Sequence, residues 1–195
     1  MVSQADPNEV RMTGENSFIR LSETEDGSLT TRASHWRVLW SPAGQGHALF
    51  LKSDVTDGAV SIFADNIALA RWLQDEIESM LFPEFADQEI PVSVAEFTKA
   101  GDGRAFWTEM VQSEEESVNL TWYDFAEPFV HRVAPGDIPG RPLGVYSCFL
   151  PARRAQLTLN GLVAGGRPFI DMRGDTEATT CCIAWSETWV RPHAG

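Results

Sequence analysis

The chain has 195 residues, 43% of them hydrophobic, with seven Trp and eleven Phe; a domain of this size hides roughly 70% of its unfolded surface, so one sizeable core is expected. Twenty-eight acidic against fifteen basic residues leave a formal net charge of −13, which disfavours nucleic acid and anionic membrane surfaces as partners. No apolar run approaches the roughly 20 residues of a membrane span, and the opening MVSQADPNEVRMTGENS has neither the basic start nor the apolar core of an export signal, so a cytoplasmic protein is expected.

Residues 1–16 are polar, contain Pro7 and Gly14 and show no period, which predicts a mobile arm ahead of a single β-rich domain over 17–195. Strand-like pieces begin at Phe18: FIRLS (18–22), LTTRA (29–33), WRVLW (36–40), HALFLK (47–52) and AVSIFA (59–64). Between them, Glu25-Asp26-Gly27-Ser28, Ser41-Pro42-Ala43-Gly44 and residues 54–58 have turn compositions, so successive hairpins are expected. One helix interrupts the strands. Asp65 or Asn66 supplies its N-cap, Pro83 stops it, and Leu69, Leu73, Ile77, Met80 and Leu81 form a stripe at helical spacing. It is expected to lie across a sheet or plug a barrel end, with Asp75, Glu76 and Glu78 on its solvated side. The segment 83–103, flanked by Pro83, Pro91 and Gly101-Asp102-Gly103, reads as a loop holding a weak strand at VSVAEF.

Strands resume with RAFWTEMV (104–111), SVNLTWYD (117–124) and PFVHRV (128–133), followed by a Pro- and Gly-rich loop over 134–144 that is long enough for a lid or crossover. VYSCFLP, RAQLTLNG, RPFIDMR and TTCCIAWSETWVR complete the chain. So many strands, with one firm helix and no strand–helix alternation, argue for an antiparallel meander whose edges are removed by closure or by packing two sheets. A closed or half-closed barrel resembling the lipocalin architecture is the first expectation, and a β-sandwich is the alternative.

The last strand carries the clearest chemical pattern. Strict alternation over Thr179 to Arg191 sets Cys181, Ile183, Trp185, Glu187 and Trp189 on one face, with a carboxylate between two indoles. Trp107-Thr108-Glu109 and Trp122-Tyr123-Asp124 repeat the same order of Trp and acid. If these strands face inward, Trp107, Trp122, Tyr146, Trp185 and Trp189 wall a cavity with acids beside them, which is the composition of a small-molecule site. A carboxylate held against indoles is desolvated, which raises its pKa and fits it for proton transfer near neutral pH.

Glu109, Asp171, Glu187 and His131 are therefore the candidate acid and base groups; His131 and Asp171 each sit on an otherwise apolar strand face, where a polar group needs a partner or a role. The expected function is a cofactor-independent enzyme of the lyase, hydratase or isomerase type acting on a small apolar or aromatic molecule. A non-catalytic carrier with the same pocket, or a subunit presenting Phe106, Met110 and Tyr123 to a partner chain or to another copy of itself, are the rival readings. His35, His47 and His131 together could hold a metal, but no HExxH or His-x-His spacing supports one. No GxGxxG, GxxxxGK[ST] or GxSxG motif occurs, so no cofactor is expected, and Ser147 has no nucleophile signature around it. Three cysteines without zinc or redox spacing are read as reduced thiols.

Overall fold

The computed structural model describes residues 10–24, 28–138 and 141–192. Residues 1–9 of the expected arm, most of the turn at 25–28, part of the loop 134–144 and His193 lie outside them. The first four strands are β1 (Val10–Ser22), β2 (Leu29–Trp40), β3 (Gly46–Ser53) and β4 (Val60–Ala64). An α-helix α1 (Ile67–Leu73) then continues through a π-helical stretch (Gln74–Glu78) into a last turn, α2 (Ser79–Leu81). The remaining strands are β5 (Val92–Gly101), β6 (Phe106–Ser113), β7 (Ser117–Phe125), β8 (Phe129–Val133), β9 (Gly144–Leu159), β10 (Leu162–Val163), β11 (Ile170–Arg173), β12 (Thr176–Thr179) and β13 (Cys181–Val190).

Nine strands close into a barrel in the order β9, β13, β1, β2, β3, β4, β5, β6, β7 and back to β9. Closure leaves those nine with no free edge. The long β9 makes it possible: residues 144–151 pair with β13, and residues 152–159 pair with β7. Where β7 ends, β8 takes over its side of β9, pairing Phe129 to Val133 with Phe149 to Val145. All barrel pairs are antiparallel except β4–β5, which are parallel and joined through the helix. A parallel neighbour needs a crossover of this kind, because a two-residue turn cannot reverse the chain twice.

Alternation divides most of the apolar residues between two cores, and leaves a third, smaller cluster of Phe18, Phe149, Cys182 and Ala184. Ile19, Leu21, Leu49, Leu51, Phe63, Val111 and Trp122 point into the barrel and pack against one another. Trp36, Val38, Ala48, Phe50 and Ile62 point outward and are covered by Leu69, Leu73 and Ile77 of the helix. The helix thus lies on the outside of the barrel. Asn66 is its N-cap, its side chain accepting from Leu69 N at 3.2 Å.

Several expectations are corrected. Residues 10–16, expected in a polar arm, form the start of β1 and pair with both β13 and β2. LTTRA and WRVLW are one strand, as are VYSCFLP and RAQLTLNG. The segment taken for a loop with a weak strand contains β5, a full barrel strand whose exposed side chains masked its alternation. Glu78 is fully buried, not on the solvated side; the wider π turn shifts the helical phase and swings it toward the sheet. Trp185 does not share a face with Glu187 and Trp189. A bulge skips Trp185 between Ala184, opposite Phe149, and Ser186, opposite Cys148, so Cys181 and Ile183 face the barrel interior while Trp189 joins the outer core.

Candidate functional site

The sequence-predicted residues separate into four places. Trp122 is fully buried among the interior side chains, its Nε1–H donating to Phe18 O at 3.1 Å. Trp107, Glu109 and Trp185 gather at one end of the barrel, where the two indoles stand 6.1 Å apart. His131, Glu187 and Trp189 meet in a cleft on the outer surface, with Asp171 at its edge. Tyr146 lies on the opposite face of β9, in a shallow groove with Val130, Cys148 and Thr188. The indoles of Trp107, Trp122 and Trp185 therefore do not wall one common void.

At the barrel end, Trp107 Nε1–H donates to Glu109 Oε1 at 2.7 Å. Burial pushes the Glu109 carboxyl up to about 7 despite that bond. Its other oxygen, Oε2, is 3.9 Å from His35 Nε2, but burial, with His47 and Lys99 nearby, lowers the His35 imidazole to about 3. A neutral ring makes this a polar contact, not an ion pair. His47, whose ring is 6.3 Å from that of His35, is bonded to Asp65, Nδ1 to Oδ2 at 2.6 Å. His131 belongs to the outer cleft, and among the described residues no cluster of three or more His, Cys, Asp or Glu has metal-holding geometry. A broad groove of about 830 Å³ along this rim includes Leu39, His47, Asp65, Ile67 and Val94. Its charged side chains are already paired, His47 with Asp65 and Arg37 with Glu15.

The outer cleft is smaller, about 140 Å³, and chemically denser. Its floor is built by register. His131 on β8, Ser147 on β9 and Glu187 on β13 lie directly opposite one another across three adjacent strands, so their side chains share a face. Ser147 Oγ–H donates to Glu187 Oε2 and Trp189 Nε1–H donates to Oε1, each at 2.7 Å. Burial pushes Glu187 up to about 7, with those two bonds and Arg173 pulling the other way. The His131 ring stacks on Phe149, 5.5 Å between centroids; burial and the charge of Arg173 hold its pKa below the usual imidazole value, so it is neutral at pH 7. Neither Asp171 nor Glu187 hydrogen-bonds His131 among the described residues. Asp171 is instead paired with Arg173, Oδ2 to Nη2 at 2.6 Å.

Three further groups complete the cleft. Phe18 and Phe149 meet edge to face at 5.8 Å and form an apolar wall. Arg20, Arg141 and Arg173 bring guanidinium groups to it. Behind it, Asn16 Nδ2 donates to Ser34 Oγ at 3.2 Å, and Ser34 Oγ and Trp36 Nε1 donate to Glu78 Oε1 at 2.5 and 2.6 Å. Sequence reasoning missed Arg20 and Phe149. The signal for Arg20 was present: it follows Phe18 by two residues on one strand face, which is the same anomaly that singled out Asp171. The chain matches no protein family model, no curated protein and no solved structure.

Proposed function

We propose that the protein binds a small apolar or aromatic molecule in the outer cleft, not in the barrel. The observation that carries this reading is the convergence of His131, Glu187 and the arginines on one cavity walled by Phe18, Phe149 and Trp189. Flat apolar surface with a few convergent polar groups is what holds a small ligand in a fixed pose. The barrel interior, by contrast, is occupied by its own side chains. A screen of small aromatic and alicyclic compounds, followed through the Trp indole N–H signals by NMR, tests it. Binders should move the Trp189 signal and leave Trp122 in place; compounds that moved Trp107 or Trp122 alone would put the ligand in the barrel instead.

A second reading, acid–base catalysis on the same ligand without a cofactor, is favoured by an imidazole and a carboxyl facing the same cleft on either side of Ser147, the carboxyl pushed up to about 7 by burial and the imidazole held below its usual value. Such a pair suits elimination, addition or isomerisation, with His131 taking a proton and Glu187 giving one. Against it, both oxygens of Glu187 are engaged by Ser147 and Trp189, as in a carrier. For an identified ligand, His131→Asn and Glu187→Gln decide: a fall in turnover of roughly 10²-fold or more at nearly constant affinity marks an enzyme, and no turnover in the parent protein marks a carrier.

A further inference from the structure

Arg20 projects from β1 on the same face as Phe18, and its guanidinium stands 4.8 Å from the ring centroid of Phe18 and 4.9 Å from that of Phe82. Those contacts engage its charge but not its N–H donors. Its Nε is shut off from solvent and donates to nothing. The Nε atoms of Arg32 and Arg173 are likewise without an acceptor, but each of those side chains has an ion pair, Arg32 with Glu84 and Arg173 with Asp171, while Arg20 has none among the described residues. A buried N–H without an acceptor is costly, and the Arg20 side chain as a whole is half-buried and lines the cleft.

The acids nearby do not supply the missing charge. Asp171 is taken by Arg173. Glu187 accepts from Ser147 and Trp189, and Glu78 from Ser34 and Trp36; burial holds both carboxyls toward their protonated forms, up to about 7. The chain as a whole is poor in cations, fifteen Lys and Arg against twenty-eight acids, yet three arginines line this one cleft. From the unanswered guanidinium and the rings beside it, we infer that the cleft takes an anionic ligand, a carboxylate carried on a small aromatic or alicyclic body, with Arg20 as the anchor of the carboxylate.

This inference rests on the outer cleft being the ligand site. The planar fork of an arginine matches the two oxygens of a carboxylate, and the contact supplies the counter-charge that no ion pair of the fold gives Arg20. Phe149 and Trp189 cover the body of the ligand. A volume of about 140 Å³ corresponds to roughly five water molecules, the space of a single ring bearing its carboxylate.

The test uses the full chain labelled with ¹⁵N, titrated with benzoate, benzamide and inorganic phosphate while the Arg Nε–H and Trp Nε1–H signals are followed. Benzoate should saturate and shift the Arg20 and Trp189 signals, with benzamide at least tenfold weaker and phosphate weaker still for want of an apolar body. In Arg20→Met the affinity for benzoate should fall at least tenfold while that for benzamide holds, and Arg20→Lys should fall between. Equal affinity for benzoate and benzamide, phosphate binding as tightly as benzoate, or an Arg20→Met variant that binds benzoate like the parent overturns the carboxylate anchor and leaves the cleft as a neutral site. If none of the probes saturates, the cleft itself is refuted along with the anchor. Thermal melting confirms that each variant is folded; should Arg20→Met not fold, Arg20→Lys and the benzoate-to-benzamide ratio of the parent decide.

Discussion

Glu78, Glu109 and Glu187 are buried without a cationic partner at ion-pair distance among the described residues, and burial pushes each up to about 7 from an ordinary 4.5. In each case the folded state prefers the protonated acid more strongly than the unfolded chain does. The stability this contributes is complete below about pH 4.5 and is lost as pH rises through about 7, on the order of 3 kcal/mol for a fully buried group. The urea midpoint should therefore fall between pH 5 and pH 8.5. Glu78→Gln and Glu187→Gln should each flatten that fall, because an amide cannot ionise; an unchanged slope in both variants contradicts the assignment. Thiols offer a second residue-scale check. Burial pushes Cys181 up to about 12 and Cys182 up to about 11, whereas Cys148 is partly open. An aromatic disulfide reagent should titrate Cys148 alone in the native protein and all three thiols in denaturant.

Among the elements, the helix shows how far sequence reading reaches. Its start was legible because Asn66 precedes an apolar stripe, and Asn66→Ala should lower stability by about 1 kcal/mol, measured by chemical unfolding, through loss of the acceptor for Leu69 N. Its second half was not legible. The stripe of Leu69, Leu73 and Ile77 continues unbroken whether or not a turn widens, so nothing in the periodicity places Glu78 beneath the sheet. The same limit applied to β13: alternation from Cys181 to Ile183 reads correctly, and a bulge at Trp185 inverts the rest. Gly103 makes room for the indole of the bulged residue. Its φ is +67°, and a Cβ there would stand 2.5 Å from the Trp185 indole, so Gly103→Ala should displace Trp185 from Trp107 and destabilise this barrel end, visible as a change in Trp fluorescence with a lower melting temperature. The acids and the imidazole of the outer cleft were thus identifiable by type, whereas their shared location came from β8 and β13 both lying against β9. That neighbourhood is set by pairing between distant segments, and local pattern carries no record of it.

At the scale of the whole molecule, a mainly β chain closed into a barrel with one helix followed from composition and turn spacing, since a sheet of many short strands must remove its edges. The parallel pair β4–β5 did not follow, because an exposed β5 with few buried positions hides among loop residues. Closure also rests on contacts far apart in the chain: β1 against β13, and β7 against β9. Such topology folds slowly, because long segments must be ordered before their pairing is gained. A refolding time of milliseconds to seconds is expected by stopped-flow Trp fluorescence, and a microsecond phase accounting for the full signal would contradict it.

The register of β1 against β13 has one more implication. Val10 stands directly opposite Val190, so the two ends of the described barrel emerge side by side, a few ångströms apart. A tether of a handful of glycines and serines spanning that gap, with new termini opened at Asn160-Gly161, where two successive positive φ angles mark a tight reversal, would yield a circular permutant whose wall is unchanged. The order in which the strands are strung together would then prove incidental to the barrel, and the cleft on its outer side would survive the rewiring.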